Sequence, residues 1–372
     1  MKVLLLAGNY PPESGGIGEL VSNLAHALVS RGETVEVITP VNGAADAENE
    51  LKVTEFELAE KGYLKRVSRC RRTLRSALRR GDFDRVLLSS WSPFAVGSAY
   101  RAGGPGIDIL CHGLDLLEPM SSRRYRWLMR RTLRGASRII ANSRYTAGLA
   151  KSAGAAPETV RVIHPGVDTL RFQPRPAPPR LREDTSCANK TVLLTVTRLV
   201  PRKGVDAVIG ILPRLAHRYP DLIYLVAGDG PERSRLEGLA KESGAADRIA
   251  FLGPPRTEDL PSLYNLADIF VMPNRLIEEQ GDVEGFGIVF LEAAASAVPA
   301  VGGDSGGAPD AIDDGNTGFV VAPDSPDELF DKLNALLSDP ALREQMGAAG
   351  RQRAVREFQW HQIAAAYCEL PE

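Results

Sequence analysis

The chain has 372 residues, and at about 100–200 residues per domain that length favours two domains over one. Apolar residues make up 44% and charged residues 25%, which excludes a disordered, collagenous or coiled-coil chain. A net charge of −2 excludes nucleic acid as a partner for the chain as a whole, yet residues 1–175 carry 26 basic against 17 acidic side chains and residues 176–372 carry 19 against 30.

The first apolar run, Lys2–Gly8, is too short for a signal-peptide core or a membrane span and reads as a buried strand. Further strands are predicted at Thr34–Pro40, Val53–Leu58, Arg85–Ser90, Ile107–His112, Arg138–Ser143 and Val160–Pro165. A second set follows at Thr191–Arg198, Ile223–Gly228, Ile249–Gly253, Ile269–Pro273, Val298–Gly302 and Gly318–Val321. Continuous apolar, β-branched runs mark parallel strands covered on both faces, and their alternation with helical stretches is the doubly wound α/β pattern. That pattern occurs twice. Between the sets, Phe172–Lys190 holds Pro174, Pro176, Pro178 and Pro179 without apolar periodicity and reads as an inter-domain linker. The boundaries are therefore a first domain over 1–170, a linker over 171–190 and a second domain over 191–355. The tail Asp339–Leu370 is predicted helical. Cys70, Cys111, Cys187 and Cys368 form no Cys-x-x-Cys pair, which points to a reducing cytosol and to neither zinc nor a redox motif.

Doubly wound sheets bind ligands outside the carboxyl ends of their strands, and five residue clusters sit there. Pro11–Gly18 follows the first strand and opens a helix. Gly15 and Gly16 let backbone N–H groups approach an anion, although a plain tight turn is the competing reading. The cluster is neither G-x-G-x-x-G nor a Walker A loop. His112-Gly113-Leu114-Asp115 ends another strand, where an imidazole can meet a sugar hydroxyl or serve only the fold. At the start of the second domain, Arg198 and Lys203 can both turn toward a diphosphate, while Arg202 reads as a solvated turn residue.

Asp282–Ala294 is the most informative run. Glu284 lies in a loop, Gly285 and Gly287 flank Phe286, and Ile288 begins a buried helix that contains Glu292. A carboxylate in so apolar a segment is costly unless it holds a ligand hydroxyl or a donor, and the helix N-terminus favours a phosphate. Ser305–Asp310 is a further glycine turn opening a helix. Asp82-Phe83-Asp84 precedes a strand and reads as a turn, so no metal site is expected.

Taken together, these clusters resemble the retaining glycosyltransferases of family 4, which have the GT-B fold: two doubly wound Rossmann-like domains facing across a cleft. The resemblance covers nearly the whole chain. It rests on Gly15-Gly16-Ile17-Gly18, on Arg198 with Lys203-Gly204, on Val226–Pro231 and on Glu284 and Glu292 as the family's Glu-x7-Glu. His164–Asp168 and Asp339–Phe358 belong to it as well. Asp282–Ala293 and Ser305–Pro309 are most similar to bacterial GDP-mannose-dependent transferases that elongate phosphatidylinositol mannosides.

The resemblance implies a metal-independent hexosyltransferase that moves mannose, from GDP-mannose as substrate and with no tightly bound cofactor, to a hydroxyl of a glycan or lipid-linked acceptor. It assigns the donor phosphate to Gly15 and Gly16 and the transferred sugar to His112. Arg198 and Lys203 take the diphosphate and neutralise the leaving group. Glu284, with Gly285, Phe286, Gly287 and Ile288 around it, takes the sugar, and Glu292 takes the ribose. The family's last helix, here about residues 356–372, returns to the first domain. Asp115 and Asp310 depart from the family by standing where Glu is frequent. Two other readings compete: a sugar-nucleotide epimerase on the same fold, which lacks its acid–base residues here, and a non-catalytic sugar-nucleotide binder.

The basic first half adds one expectation. Lys61–Arg85 holds ten basic residues against two acids, with Leu64, Val67, Leu74 and Leu78 as an apolar stripe, and Arg123–Arg131 interleaves arginines with Tyr125 and Trp127. A core-facing stripe with a solvated basic back accounts for the first segment. The excess of charge points to salt-sensitive attachment to an anionic membrane surface, hence to a cytoplasmic protein peripheral on the inner face of the membrane.

Overall fold

Runs of Val, Leu and Ile too continuous for a sheet wetted on one face form two parallel sheets in the computed structural model, which describes residues 1–11, 15–40, 51–55, 63–91, 105–117 and 122–369. The first sheet holds β1 (Lys2–Leu6), β2 (Thr34–Thr39), β3 (Lys52–Glu55), β4 (Arg85–Leu88), β5 (Gly106–Cys111), β6 (Arg138–Ala141) and β7 (Val160–Val162) in the order β3-β2-β1-β4-β5-β6-β7. The second holds β8 (Thr191–Val196), β9 (Leu222–Ala227), β10 (Ile249–Gly253), β11 (Ile269–Met272), β12 (Ala300–Gly303) and β13 (Gly318–Val321) in the order β10-β9-β8-β11-β12-β13. Each order reverses beside its first strand, between β1 and β4 and between β8 and β11. Such switch points are where doubly wound sheets take ligands. Every predicted strand is present, with ends shifted by up to three residues where they are described; residues 56–58 lie outside the description.

Alternate residues of β8 divide the second core. Val192, Leu194 and Val196 face a layer that includes the helix Ile288–Ala295, whereas Leu193 faces the helices Val205–Arg218 and Pro326–Ser338. Burying both faces keeps this sheet free of wetted strands and leaves its strand ends as the polar surface.

The chain divides into two units, one of residues 1–166 with 360–372 and one of residues 167–359. The proline-rich segment is therefore not the linker that its composition suggests. It belongs wholly to the second unit, and the chain passes between units at Gly166–Val167, before the first of those prolines. The reason is packing. Phe172 and Cys187 are buried in the second core, and Pro179–Asp184 is a helical turn. The Phe172 ring meets Tyr264 edge-on at 5.7 Å, and the Arg351 guanidinium donates to the carbonyls of Phe172 and Ala295, each at 2.8 Å. Proline suits such a segment because extended chain laid on a core needs few backbone donors.

The helical tail is broken as well. One helix, Pro340–Glu357, stays in the second unit; Phe358 is buried there, and Val167 N donates to its carbonyl at 2.7 Å. The next helix, Trp360–Cys368, packs on Gly16–Ser30 in the first unit.

Candidate active site

The second unit gathers its charged site residues at the exit of β8 and the loop after β11. Pro201–Lys203 makes a single 3-10 turn, which turns Lys203 inward while Arg198 stays exposed. The Lys203 side chain is 10% exposed, and its ammonium is salt-bridged to Oε2 of Glu284, itself 12% exposed. Among the described residues Arg198 has no side-chain hydrogen bond or ion pair. The two cations expected at one diphosphate thus differ: one is already held, and one is open to a ligand.

Arg202 is not the solvated turn residue expected from sequence. Its Nη1 lies 2.9 and 3.0 Å from the two oxygens of Asp282, and its Nε lies 3.9 Å from Glu284. Its hydrogen bonds go to Asp282 and its contact with Glu284 is a longer ion pair, so Arg202 fixes the loop that carries Glu284 mainly through Asp282.

That loop continues into Ile288–Ala295. Gly287 caps the helix at φ 88°, and a Cβ there would stand 2.6 Å from the Phe290 ring, so only glycine fits. Gly285 is half-buried in the loop, and Ile288, the first helical residue, is half-buried too. Phe286 turns its side chain away from the loop surface. Its side chain is buried in the core, 6.3 Å from the Phe358 ring, so only its backbone remains for a ligand. Glu292, one turn into the helix, accepts from the Tyr264 hydroxyl at 2.6 Å. Burial first, and then the Glu292 carboxylate, push that phenol well above its ordinary value, so it stays a donor.

In the first unit, Gly15 and Gly16 are exposed at the N-terminus of Gly16–Ser30, and a Cβ at either would meet nothing within 4 Å. Pro12–Ser14, the rest of that cluster, lie outside the described residues. His112 is buried at the end of β5, with Nε2 2.8 Å from the Ser89 carbonyl. A carbonyl only accepts, so Nε2 carries a hydrogen and Nδ1 is the ring nitrogen left to face a ligand. The His112 backbone N–H donates to Asp115 Oδ1 at 2.9 Å, while Asp115 Oδ2 is buried with no hydrogen-bond partner among the described residues. Asp84 is a structural turn residue whose Oδ2 accepts from Lys2 N at 2.6 Å.

Comparison with known proteins decides the family. Residues 14–171 match the family model for Glycosyltransferase Family 4, and residues 180–353 match that for glycosyl transferases group 1. A GDP-mannose-dependent alpha-(1-6)-phosphatidylinositol monomannoside mannosyltransferase of Mycolicibacterium smegmatis is 34% identical over 99% of this chain and 97% of its own length. The chain belongs to glycosyltransferase family 4. A second relative of this glycosyltransferase, from Corynebacterium glutamicum, is a GDP-mannose-dependent monoacylated alpha-(1-6)-phosphatidylinositol monomannoside mannosyltransferase, 32% identical over 96% of this chain and 94% of its own.

Solved structures agree on the GT-B fold. Anabaena HepE in complex with UDP and glucose matches with a TM-score of 0.81 at 23% identity, covering 99% of this chain and 98% of that one. Sucrose-phosphate synthase of Thermosynechococcus elongatus matches at 0.82 and 20% identity, covering 99% and 97%. None of these relatives supports the epimerase reading. Two residues beside the candidate carboxylates were not read from sequence as part of the site: Arg202 and Tyr264. Arg202 carried a signal in its place directly before Lys203, which an ordinary-looking basic turn obscures.

Proposed function

We propose that the protein is a retaining, metal-independent mannosyltransferase that moves mannose from GDP-mannose to a lipid-linked acceptor. The observation that carries this reading is that the exit of β8 holds both Arg198, unpaired among the described residues, and the Lys203–Glu284 pair, in a chain similar over its length to GDP-mannose-dependent enzymes.

Breaking a sugar–phosphate bond leaves a diphosphate with growing negative charge. Arg198 offers a planar fork and Lys203 a point charge for it, and fixed cations of this kind need no reorganisation as the charge develops. Glu284 is assigned to the sugar hydroxyls, with the backbone of Gly285, Phe286, Gly287 and Ile288 around it, and Glu292 to the ribose. From the first unit, the amides of Gly15 and Gly16 are assigned to donor phosphate, and His112, through its free Nδ1, to a hydroxyl of the transferred sugar. On this reading the departing phosphate oxygen takes the acceptor proton on the face it leaves, so the anomeric configuration is kept.

The acceptor is proposed to reach the enzyme at an anionic membrane surface, to which the protein attaches peripherally from the cytoplasmic side. The helix Arg123–Gly135 supports this: Met129 and Leu133 face the core, whereas Trp127 and Tyr125 are 58% and 43% exposed among exposed arginines. Exposed aromatics with a basic face suit the lipid headgroup region. Among the described residues no helix is long and apolar enough to cross a membrane.

The test is calorimetry with GDP, UDP, ADP and their sugars, followed by product analysis on mycobacterial-type phosphatidylinositol mannoside after treatment with EDTA. GDP-mannose should bind tightest, turnover should survive chelation, and the product should be the α-anomer. Preference for another nucleotide, loss of activity with EDTA or a β-product would refute the corresponding part.

A further inference from the structure

Two strand exits in the second unit, those of β11 and β12, are tied by one buried side chain. Asn274, two residues beyond the end of β11, is fully buried in a position where an amide is costly unless both its ends are paired. They are. Its Oδ1 accepts from Gly303 N at 3.2 Å and its Nδ2 donates to the Ser305 carbonyl at 2.9 Å, so the side chain spans the turn that leaves β12. Backbone contact is close enough that a Cβ on Gly303 would stand 1.8 Å from the Asn274 carbonyl oxygen. Two residues past Ser305, Gly307 N donates to the Glu284 carbonyl at 2.9 Å. Asn274 thus holds Gly303 and Ser305, and the turn they form holds Glu284.

We propose that Asn274 is a positioning residue for the donor sugar, acting through the Gly303–Gly307 turn on Glu284. The inference rests on the assignment of Glu284 to the sugar. Arg202 and Lys203 fix the carboxylate of Glu284, and the Gly307 amide fixes its backbone. Without Asn274, Gly303 N loses this acceptor, the Ser305 carbonyl keeps only the longer bond from Ala308 N at 3.5 Å, the turn relaxes, and Glu284 is anchored chiefly by its charge. Affinity for the nucleotide diphosphate depends on this chain of contacts far less, because Arg198 and Glu292 lie outside it and Lys203 meets it only through the Glu284 carboxylate.

The experiment is calorimetry of Asn274→Ala, Glu284→Ala and the double variant with GDP and with GDP-mannose. Asn274→Ala should weaken GDP-mannose about tenfold and leave GDP within about twofold. The double variant should be no worse than Glu284→Ala alone, because both changes break one path. Equal losses for GDP and GDP-mannose, no loss, or additive losses would overturn the proposal. A Glu284→Ala variant that keeps its preference for GDP-mannose would show instead that the sugar assignment is wrong, and the proposal would fall with it.

Asn274→Asp supplies a readout independent of overall folding. An ionised carboxylate accepts from Gly303 N but cannot donate to Ser305, whereas the protonated acid does both. Its deficit for GDP-mannose should shrink as pH falls, while that of Asn274→Ala should not. A pH-independent deficit in Asn274→Asp would count against the proposed bond.

Discussion

The Lys203 ammonium and the Glu284 carboxylate form a salt bridge between the exit of β8 and the loop after β11. Both side chains are largely withdrawn from water, and Arg202 approaches the same carboxylate oxygen at 3.9 Å. An ammonium has three donors, so Lys203 can keep Glu284 and still meet a phosphate oxygen. The pair therefore connects the two ends proposed for the donor, diphosphate and sugar.

That pairing separates two variants that the sequence alone would treat alike. Arg198→Ala and Lys203→Ala should each lower turnover by about 10²-fold or more. Arg198→Ala should leave the melting curve unchanged, since its side chain is exposed and unpaired among the described residues. Lys203→Ala should also destabilise the fold, by about 3 kcal/mol, by stranding a poorly solvated carboxylate. Urea melts check this, and equal stabilities would mean that Arg202 alone suffices for Glu284.

Glu292 and Tyr264 form a second coupled pair. Glu292→Ala should weaken GDP binding by about tenfold or more and also cost about 1–3 kcal/mol of stability, because the buried Tyr264 hydroxyl loses its acceptor. Tyr264→Phe keeps the ribose ligand and removes only its orienting donor, so it should weaken GDP less than Glu292→Ala does. Calorimetry and thermal melts of both variants decide, and a larger binding loss in Tyr264→Phe would reverse the assigned roles.

Asp115 gives a pH dependence of definite sign. Burial raises its carboxyl above the ordinary aspartate value, against the lowering effect of His112 and backbone donors. The folded protein then keeps a proton that the unfolded chain releases near pH 3.9. Stability from this group rises as pH falls from the folded value toward 3.9, and at neutral pH the ionised form is a burden. Asp115→Asn should therefore raise the melting temperature at pH 7–8, with a gain that fades in acid. A gain independent of pH would assign the effect to packing.

Membrane attachment can be separated from catalysis on the helix Arg123–Gly135. Trp127→Ala and a double Arg124→Glu, Arg131→Glu change should reduce flotation with anionic vesicles while sparing turnover on a short water-soluble acceptor. Binding of the parent protein should weaken as salt shortens the Debye length from about 10 Å at 0.1 M to about 3 Å at 1 M. Equal binding to neutral vesicles would remove the electrostatic basis.

The sequence by itself determined the two parallel sheets, because runs such as Val3–Leu6 and Leu222–Ala227 are apolar on both faces and only a sheet covered twice accommodates them. It also determined where charge gathers, since Arg198, Lys203, Glu284 and Glu292 all follow strand ends or open a helix. The stripe of the first basic segment reads correctly as core where it is described: Leu74 is buried and Leu78 packs against the first core, while the side chains of Leu64 and Val67 lie outside the description. Only the tertiary structure decided which charges meet. Arg202 with Asp282, eighty residues apart, and Tyr264 with Glu292 are paired by strand order, which a linear pattern does not encode. Phe286 and Phe172 show the same limit from the apolar side. One resembled a ligand contact and the other a linker residue, and both are core, because burial is decided by what a neighbouring helix covers rather than by the composition of the segment itself.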